Sequence, residues 1–475
     1  VEKKDPVQAS RLRGTGVPLK RVRGLFKICG VFQLPTFSFP IFAVEILGQS
    51  PKVGLFPIRH IPETPIQSMT SAGPEAPLDR LHRFLPSWLL SWAAVLAWAG
   101  AILGLAGRAI LSPERATNTA RFLRAGEDWI KGEPLYIYTP NKGFVYSPLA
   151  AVCYAATTWL PTVLANVFWM FISAGLLLAG LWVMLNKGPF RHIPQRFHAL
   201  VYLLVFPLSL GNIDSAQANP IVIGFVMLAV GAANLGRWAL AAAAVTAAVY
   251  WKVYPLAVGL LLVLVAPQKF SWKLALFLII GGLLPFLFQK TGYVSSQYWL
   301  WYDTRISDNR LNYNLSVAPL DLWFVLVRFA GLPLNDLLYR LIQMGGAAIL
   351  ALLCIYGGIA KWSLDRLLGA LFCFVCIWMT LLGPASELHA YLLLAPAVAM
   401  AVVESFSRNS SATLRVLSLV AYSLLLLAIL RVGFIPQYRE LWILTLQPIA
   451  AILFMVYSML RYLPSREWAP SVSPS

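Results

Sequence analysis

"HALVYLLVFPLSLGNIDSAQANPIVIGFVMLAVGAA" (residues 198–233) sets two apolar runs on either side of a short polar link, 211–219. Both runs are apolar on every side rather than on one stripe, which marks helices buried in a large core or in a bilayer. The rest of the chain decides between those two. Its 475 residues are 59% hydrophobic and 12% charged, and the mean hydropathy is +0.68. A soluble domain carries roughly 25% charged residues. Seventeen Trp and eighteen Tyr suit interfacial aromatic belts. The fold class read from the sequence is therefore all-α, a polytopic transmembrane helical bundle. What remains odd is the link, which places Asp214, Gln217 and Asn219 between two greasy helices.

The net charge of +18 would point a soluble protein toward nucleic acid. Here Lys and Arg flank apolar runs, as the positive-inside bias requires, so the expected partner is the lipid bilayer and not nucleic acid. Cys373 and Cys376 lie inside an apolar run and read as core packing.

A span needs about 20 apolar residues. Runs near 86–111, 163–186, 197–211, 219–235, 237–251, 253–267, 271–289, 336–358, 366–383, 388–404, 412–432 and 440–461 give about twelve spans, although 237–267 also reads as one broken helix. The runs 145–161 and 317–333 are short and carry Pro near their starts, and they are read as not crossing. With that choice the connectors holding Lys187, Arg191 and Arg196, Arg237, Lys269 and Lys273, Lys361 and Arg366, Arg408 and Arg415, and Arg461 and Arg466 all fall inside. Glu114, Glu127, Asp128, Glu133, Asp214, Asp303, Asp308, Asp321, Asp336, Glu387 and Glu440 fall outside, with the long loops 112–145 and 290–316. The expected organisation is a basic, Pro-rich, disordered segment over 1–80, the membrane domain over 81–465 and a short tail over 466–475.

Within the first outer loop, "ERATNTARFLRAGEDWIKG" (114–132) has the charge and apolar spacing of an amphipathic surface helix, and "GEPLY" reads as its stop. Lys252, in "AAVYWKVYPLAVG", sits amid some thirty apolar residues. It is either a snorkelling cation or the counter-ion of a lipid-linked phosphate. The loop 293–321 mixes aromatic residues with Arg305 and Arg310, and an Arg fork suits phosphate. His389 lies in a polar connector beside Ser386 and Glu387, where it is structural or a general base. No P-loop, Rossmann glycine fingerprint, H-E-x-x-H or G-x-S-x-G occurs, which argues against an ATP-driven pump and a soluble nucleotide-sugar enzyme.

These short motifs resemble glycosyltransferase family 87, integral membrane enzymes of the GT-C type that include polyprenol-phosphate-mannose-dependent α-mannosyltransferases. "NTARFLRAGEDWIKGEPLYIY" and "FVYSPLA" follow the family's order. "AQAN" (216–219) is similar to its "GQ.N", with Ala216 in place of glycine. "KVYP" (252–255), "NLS" (314–316) and "PASELH" (384–389) match three more of its motifs. The family's catalytic aspartate falls on Asn118, which leaves Glu114, Asp214, His389 and Asp128, with Glu127, as replacement bases, or an inactive homologue.

The resemblance implies a GT-C-like membrane hexosyltransferase. It would move a hexose, mannose first, from a polyprenyl-phosphate donor to a lipid or glycan acceptor at the outer face of the cytoplasmic (plasma) membrane. Lys252 and Arg305 would hold the phosphate, and Gln217, Asn219 and Asn314 the sugar hydroxyls. It names no protein metal ligands and no firm cofactor, a divalent cation being the one option open. A lipid-linked sugar flippase is the alternative, and it would need polar groups through the depth of the bundle.

Overall fold

A computed structural model describes residues 76–463, apart from 113–116, 137–142, 307–319, 384–386, 409 and 435–440. The expected disordered segment, up to residue 75, and the C-terminal tail lie outside the described residues, as do Glu114 and Asn314. The described residues are helical, with no strand among them. In chain order the α-helices are α1 (Pro77–Phe84), α2 (Ser87–Leu111), α3 (Asn118–Lys131), α4 (Pro148–Ala155), α5 (Thr162–Asn186), α6 (His198–Asp214), α7 (Asn219–Asn234) and α8 (Trp238–Trp251). They continue with α9 (Leu256–Val265), α10 (Pro267–Leu283), α11 (Thr291–Ile306), α12 (Asp336–Ile359), α13 (Leu364–Leu381), α14 (Ala395–Ser407), α15 (Ala412–Phe434) and α16 (Leu441–Tyr462).

Among the described residues, seven helices are long and apolar enough to cross a membrane: α2, α5, α6, α10, α12, α13 and α15. Four more, α7, α8, α9 and α14, are apolar but shorter. The outer faces of α2, α10 and α12 expose Trp92, Leu103, Ile279, Leu341, Ile349 and Leu352. An apolar surface of that extent fits hydrocarbon rather than water. By contrast α7 and α13 are buried along most of their length. Close approach of α5 and α7 depends on Gly224, because a Cβ there would stand 2.6 Å from the Leu176 carbonyl oxygen.

The stretch 237–267 is two helices, not one. Lys252 caps α8 in an extended conformation, and Pro255 precedes α9. A Cβ on Gly259 would stand 3.0 Å from Val245, so α9 folds back on α8 as a hairpin with Lys252 at its tip. In 145–161 the chain forms only α4, whose eight residues rise about 12 Å, well short of the hydrocarbon thickness. In 317–333 the described part forms a six-residue π-helical turn, Phe324–Phe329.

Side-chain contacts give the bundle two distinct ends. At one end Arg191 pairs with Asp365, Arg196 with Asp79, and buried Glu404 with His192 and Arg461, while Arg366 donates to the Tyr462 carbonyl. Arg191, Arg196, Arg366 and Arg461 of the basic connectors meet there, together with three carboxylates that the charge pattern along the chain did not single out. The other end brings together the C-termini of α2, α6, α8 and α13 and the N-termini of α3, α5, α7 and α12.

Candidate functional site

The polar link between α6 and α7 lies at this second end. It turns through Ala216 at φ 50°, a left-handed conformation that costs an L-residue roughly 1–2 kcal/mol. This is the position where the family motif has glycine. After it, α7 starts at Asn219 with Pro220 in its first turn, where a missing N–H is no loss.

Asn219 is only 2% exposed and joins three other chain segments. Its amide nitrogen donates to Asn212 Oδ1 at 3.0 Å and to the His389 carbonyl at 2.9 Å. Its amide oxygen accepts from Lys252 Nζ at 2.7 Å. One side chain thus ties the end of α6, the tip of the α8–α9 hairpin and the connector before α14 into one polar centre. His389 lies beside Gly211, where a Cβ would stand 3.8 Å from its Nε2. Burial lowers the pKa of His389, with Glu387 opposing and Lys252 reinforcing the effect. The ring is therefore neutral at pH 7 and able to take a proton.

α3 is held against this centre. Its first residue, Asn118, donates to the Ser215 carbonyl twice, from the backbone at 3.1 Å and from the side chain at 2.9 Å. Thr119 donates to Asn166 on α5 at 2.6 Å, both buried. The apolar face of α3 buries Phe122, Leu123 and Trp129, and Phe122 stacks with Tyr154 while Tyr146 and Tyr154 meet Trp251, next to Lys252. Gly126 allows the backbones to touch, since a Cβ there would stand 2.7 Å from the Ala155 nitrogen. Gly132, at φ 75°, closes the helix where "GEPLY" was expected to stop it. At its far end α3 is gripped by Gln289, which donates to the Trp129 carbonyl, and by Tyr293, which donates to that of Glu133.

The proposed residues divide into groups. Lys252, Asn219 and His389 come together. Asp214 is near in the chain but forms an ion pair with Arg108 of α2. Gln217 is half-buried in the link, its backbone N–H bonded to the Asn212 carbonyl at 2.9 Å. Arg305, in the last turn of α11, is exposed, yet close enough for its charge to act on Tyr136, Tyr146 and Lys252. Asp128 does not join them. It stands ten residues, or about 15 Å, along α3 from Asn118. There it lines a separate cleft of about 390 Å³ with Arg124, Glu127, Lys131, Glu133 and Thr162, and burial raises its pKa. Asn212 had not been singled out, because its contact with Asn219 runs across a turn and follows neither helical nor strand spacing.

Among the described residues no group of three His, Cys, Asp or Glu side chains is placed to hold a metal ion. The centre at Lys252 is built from an ammonium, amides and the His389 connector, with the Glu387 carboxylate close enough for its charge to act on Lys252.

The sequence model of glycosyltransferase family 87 matches residues 144–384, just over half of the chain. The chain belongs to glycosyltransferase family 87. It is thus a glycosyltransferase, and its apolar helices make it a multi-pass membrane one. No curated protein matches it. The family match contains the link, Lys252 and Arg305, and it ends just before His389. It excludes α3, and with it Asn118 and Asp128, although α3 packs directly on matched residues.

Proposed function

We propose that this family 87 member transfers a hexose, mannose in the first instance, from a polyprenyl-phosphate donor to a hydroxyl of a lipid or glycan acceptor. The reaction would take place at the outer face of the cytoplasmic membrane, with the basic end of a bundle of about twelve spans inside. The observation that carries this reading is Lys252. Among the described residues its ammonium makes one hydrogen bond, to an amide oxygen, and no ion pair. A cation fixed in that way at a helical hairpin tip is suited to an incoming anion.

In the reaction, the acceptor oxygen bonds to the anomeric carbon as the bond from that carbon to the phosphate oxygen breaks. The bonding pair leaves with the polyprenyl monophosphate, and the acceptor proton passes to the base, with inversion. Lys252, supported by the charge of Arg305, stabilises the departing phosphate. Neutral His389, whose connector is tied to Lys252 through Asn219, is the first candidate base, and Asp214, held by Arg108, is the second. Gln217 remains available to sugar hydroxyls. Asn219 has both N–H donors engaged, which makes it the residue that positions Lys252 and the His389 connector.

Membranes containing the protein should consume a radiolabelled polyprenyl-phosphate hexose and form a labelled product. Lys252→Ala should abolish this and Lys252→Arg should retain part of it. Full turnover in Lys252→Ala would return Lys252 to a snorkelling role. Uptake of the intact donor without transfer would identify a transporter.

A further inference from the structure

The "KVYP" stretch carries a second unusual group. The hydroxyl of Tyr254 is buried and, among the described residues, has no hydrogen-bond partner. A phenol in that situation lacks a bond it had in water, so buried tyrosine hydroxyls are ordinarily paired. Lys252 lies 5.6 Å from the centre of the Tyr254 ring. Tyr254 is also close enough to Glu387 to feel its charge, which places it on the side of the polar centre rather than the lipid. An ammonium has three donors, and among the described residues Lys252 uses one of them, on Asn219. Hence two ammonium N–H groups and one phenol O–H collect at the hairpin tip without acceptors among the described residues. They are matched by a group that brings several acceptor oxygens and negative charge.

We propose that the Tyr254 hydroxyl donates a hydrogen bond to a non-bridging oxygen of the donor phosphate, beside Lys252, and holds it more strongly as the sugar departs. This rests on the phosphate reading of Lys252. As the bond from the anomeric carbon to the phosphate oxygen breaks, that oxygen takes the electron pair and a singly charged diester becomes a doubly charged monoester. Donors already aimed at the phosphate gain from that added charge without rearranging. Removing the Tyr254 hydroxyl should therefore affect turnover and affinity for the monophosphate product more than affinity for the donor.

Tyr254→Phe keeps the ring and removes the one oxygen. In detergent-purified full-length protein, binding of a ten-carbon prenyl monophosphate is measured, with the ten-carbon alcohol and inorganic phosphate as controls. Wild type should bind the lipid phosphate in preference to either control. Tyr254→Phe should weaken it about 10-fold or more, as expected for losing one hydrogen bond to a charged group. Turnover should drop while KM for the donor changes little. The thermal midpoint without ligand should stay equal or rise, because the lost hydroxyl has no partner among the described residues. A lower midpoint with unchanged affinity would show a structural hydroxyl and overturn the proposal. If Lys252→Met loses affinity while Tyr254→Phe does not, Tyr254 is excluded and the phosphate reading stands. If neither variant loses affinity, both fall together.

Discussion

Asn219→Ala is the substitution with the largest consequence. It removes two neutral hydrogen bonds, to Asn212 and to the His389 carbonyl, and one bond from the Lys252 ammonium. Side-chain bonds between membrane helices average about 0.6 kcal/mol in double-mutant cycles, with a maximum near 1.7. A bond to a charged group contributes about 1.5–3 kcal/mol. Two of the first kind at their average and one of the second give roughly 3–4 kcal/mol. The assay is reversible unfolding in mixed micelles, in a cycle with Lys252→Met. Asn219→Ala and Lys252→Met should be coupled by at least about 1 kcal/mol, since both act through one bond. Asn219→Asp separates the two roles. It keeps an oxygen for Lys252 and adds a charge that neutralises it, so phosphate affinity should fall further than with an uncharged replacement of similar stability. A loss below about 1 kcal/mol for Asn219→Ala, or additivity within about 0.5 kcal/mol, would refute the claim that Asn219 organises the site.

His389→Ala should lower turnover and remove the acid limb of the pH profile. With the His389 pKa lowered, wild-type activity should hold from pH 8 down through the ordinary histidine range and decline only below it, as the ring protonates. A decline that survives in His389→Ala would assign that limb to another group. Ala216→Gly relieves a left-handed alanine and should stabilise the fold by about 1 kcal/mol without altering turnover, as read by the same unfolding assay. Single cysteines at positions 191 and 389 in a cysteine-free background should be labelled from opposite sides of the membrane, and labelling from one side would overturn the assigned topology.

Fold class was legible because composition alone excludes a soluble domain, and the break at "KVYP" was visible as a lysine and a proline in a greasy run. What the sequence left open was whether α8 and α9 continue or reverse. That depends on side chains such as Gly259 and Val245, whose contact no periodicity encodes. The site was legible in part for the same reason. Lys252, Asn219 and His389 stood out singly, Lys252 as a charge where hydrocarbon was expected and the other two as polar groups in connectors between apolar runs. Their convergence was not, since Asn219 is 33 positions from Lys252 and 170 from His389. Asn212 and Tyr254 were missed because an amide near a helix end and a tyrosine in a membrane protein are each unexceptional until their surroundings are known. Glu404 was missed from the opposite cause. A lone carboxylate in an apolar helix becomes intelligible only beside Arg461 and His192, which reach it from other segments.

The amide at position 118 has a physical reading that the motif comparison lacked. Asn118 starts α3 by giving two N–H donors to a single acceptor, the Ser215 carbonyl at the end of α6. An aspartate in that place offers no side-chain donor when ionised and sets a negative oxygen against the carbonyl. An asparagine therefore fastens α3 to the link, whereas an ionised aspartate would be turned away from it and toward whatever lies beyond. Fastening and proton abstraction are alternative uses of the same position. A chain that uses it for fastening must find its base elsewhere at that end of the bundle. In the proposed reaction His389 is that base. Its backbone carbonyl is bonded to Asn219 at 2.9 Å, and Asn219 in turn holds Lys252. If Lys252 receives the leaving group as proposed, a base tied to it through one amide keeps its place relative to the reacting bond however α3 is attached.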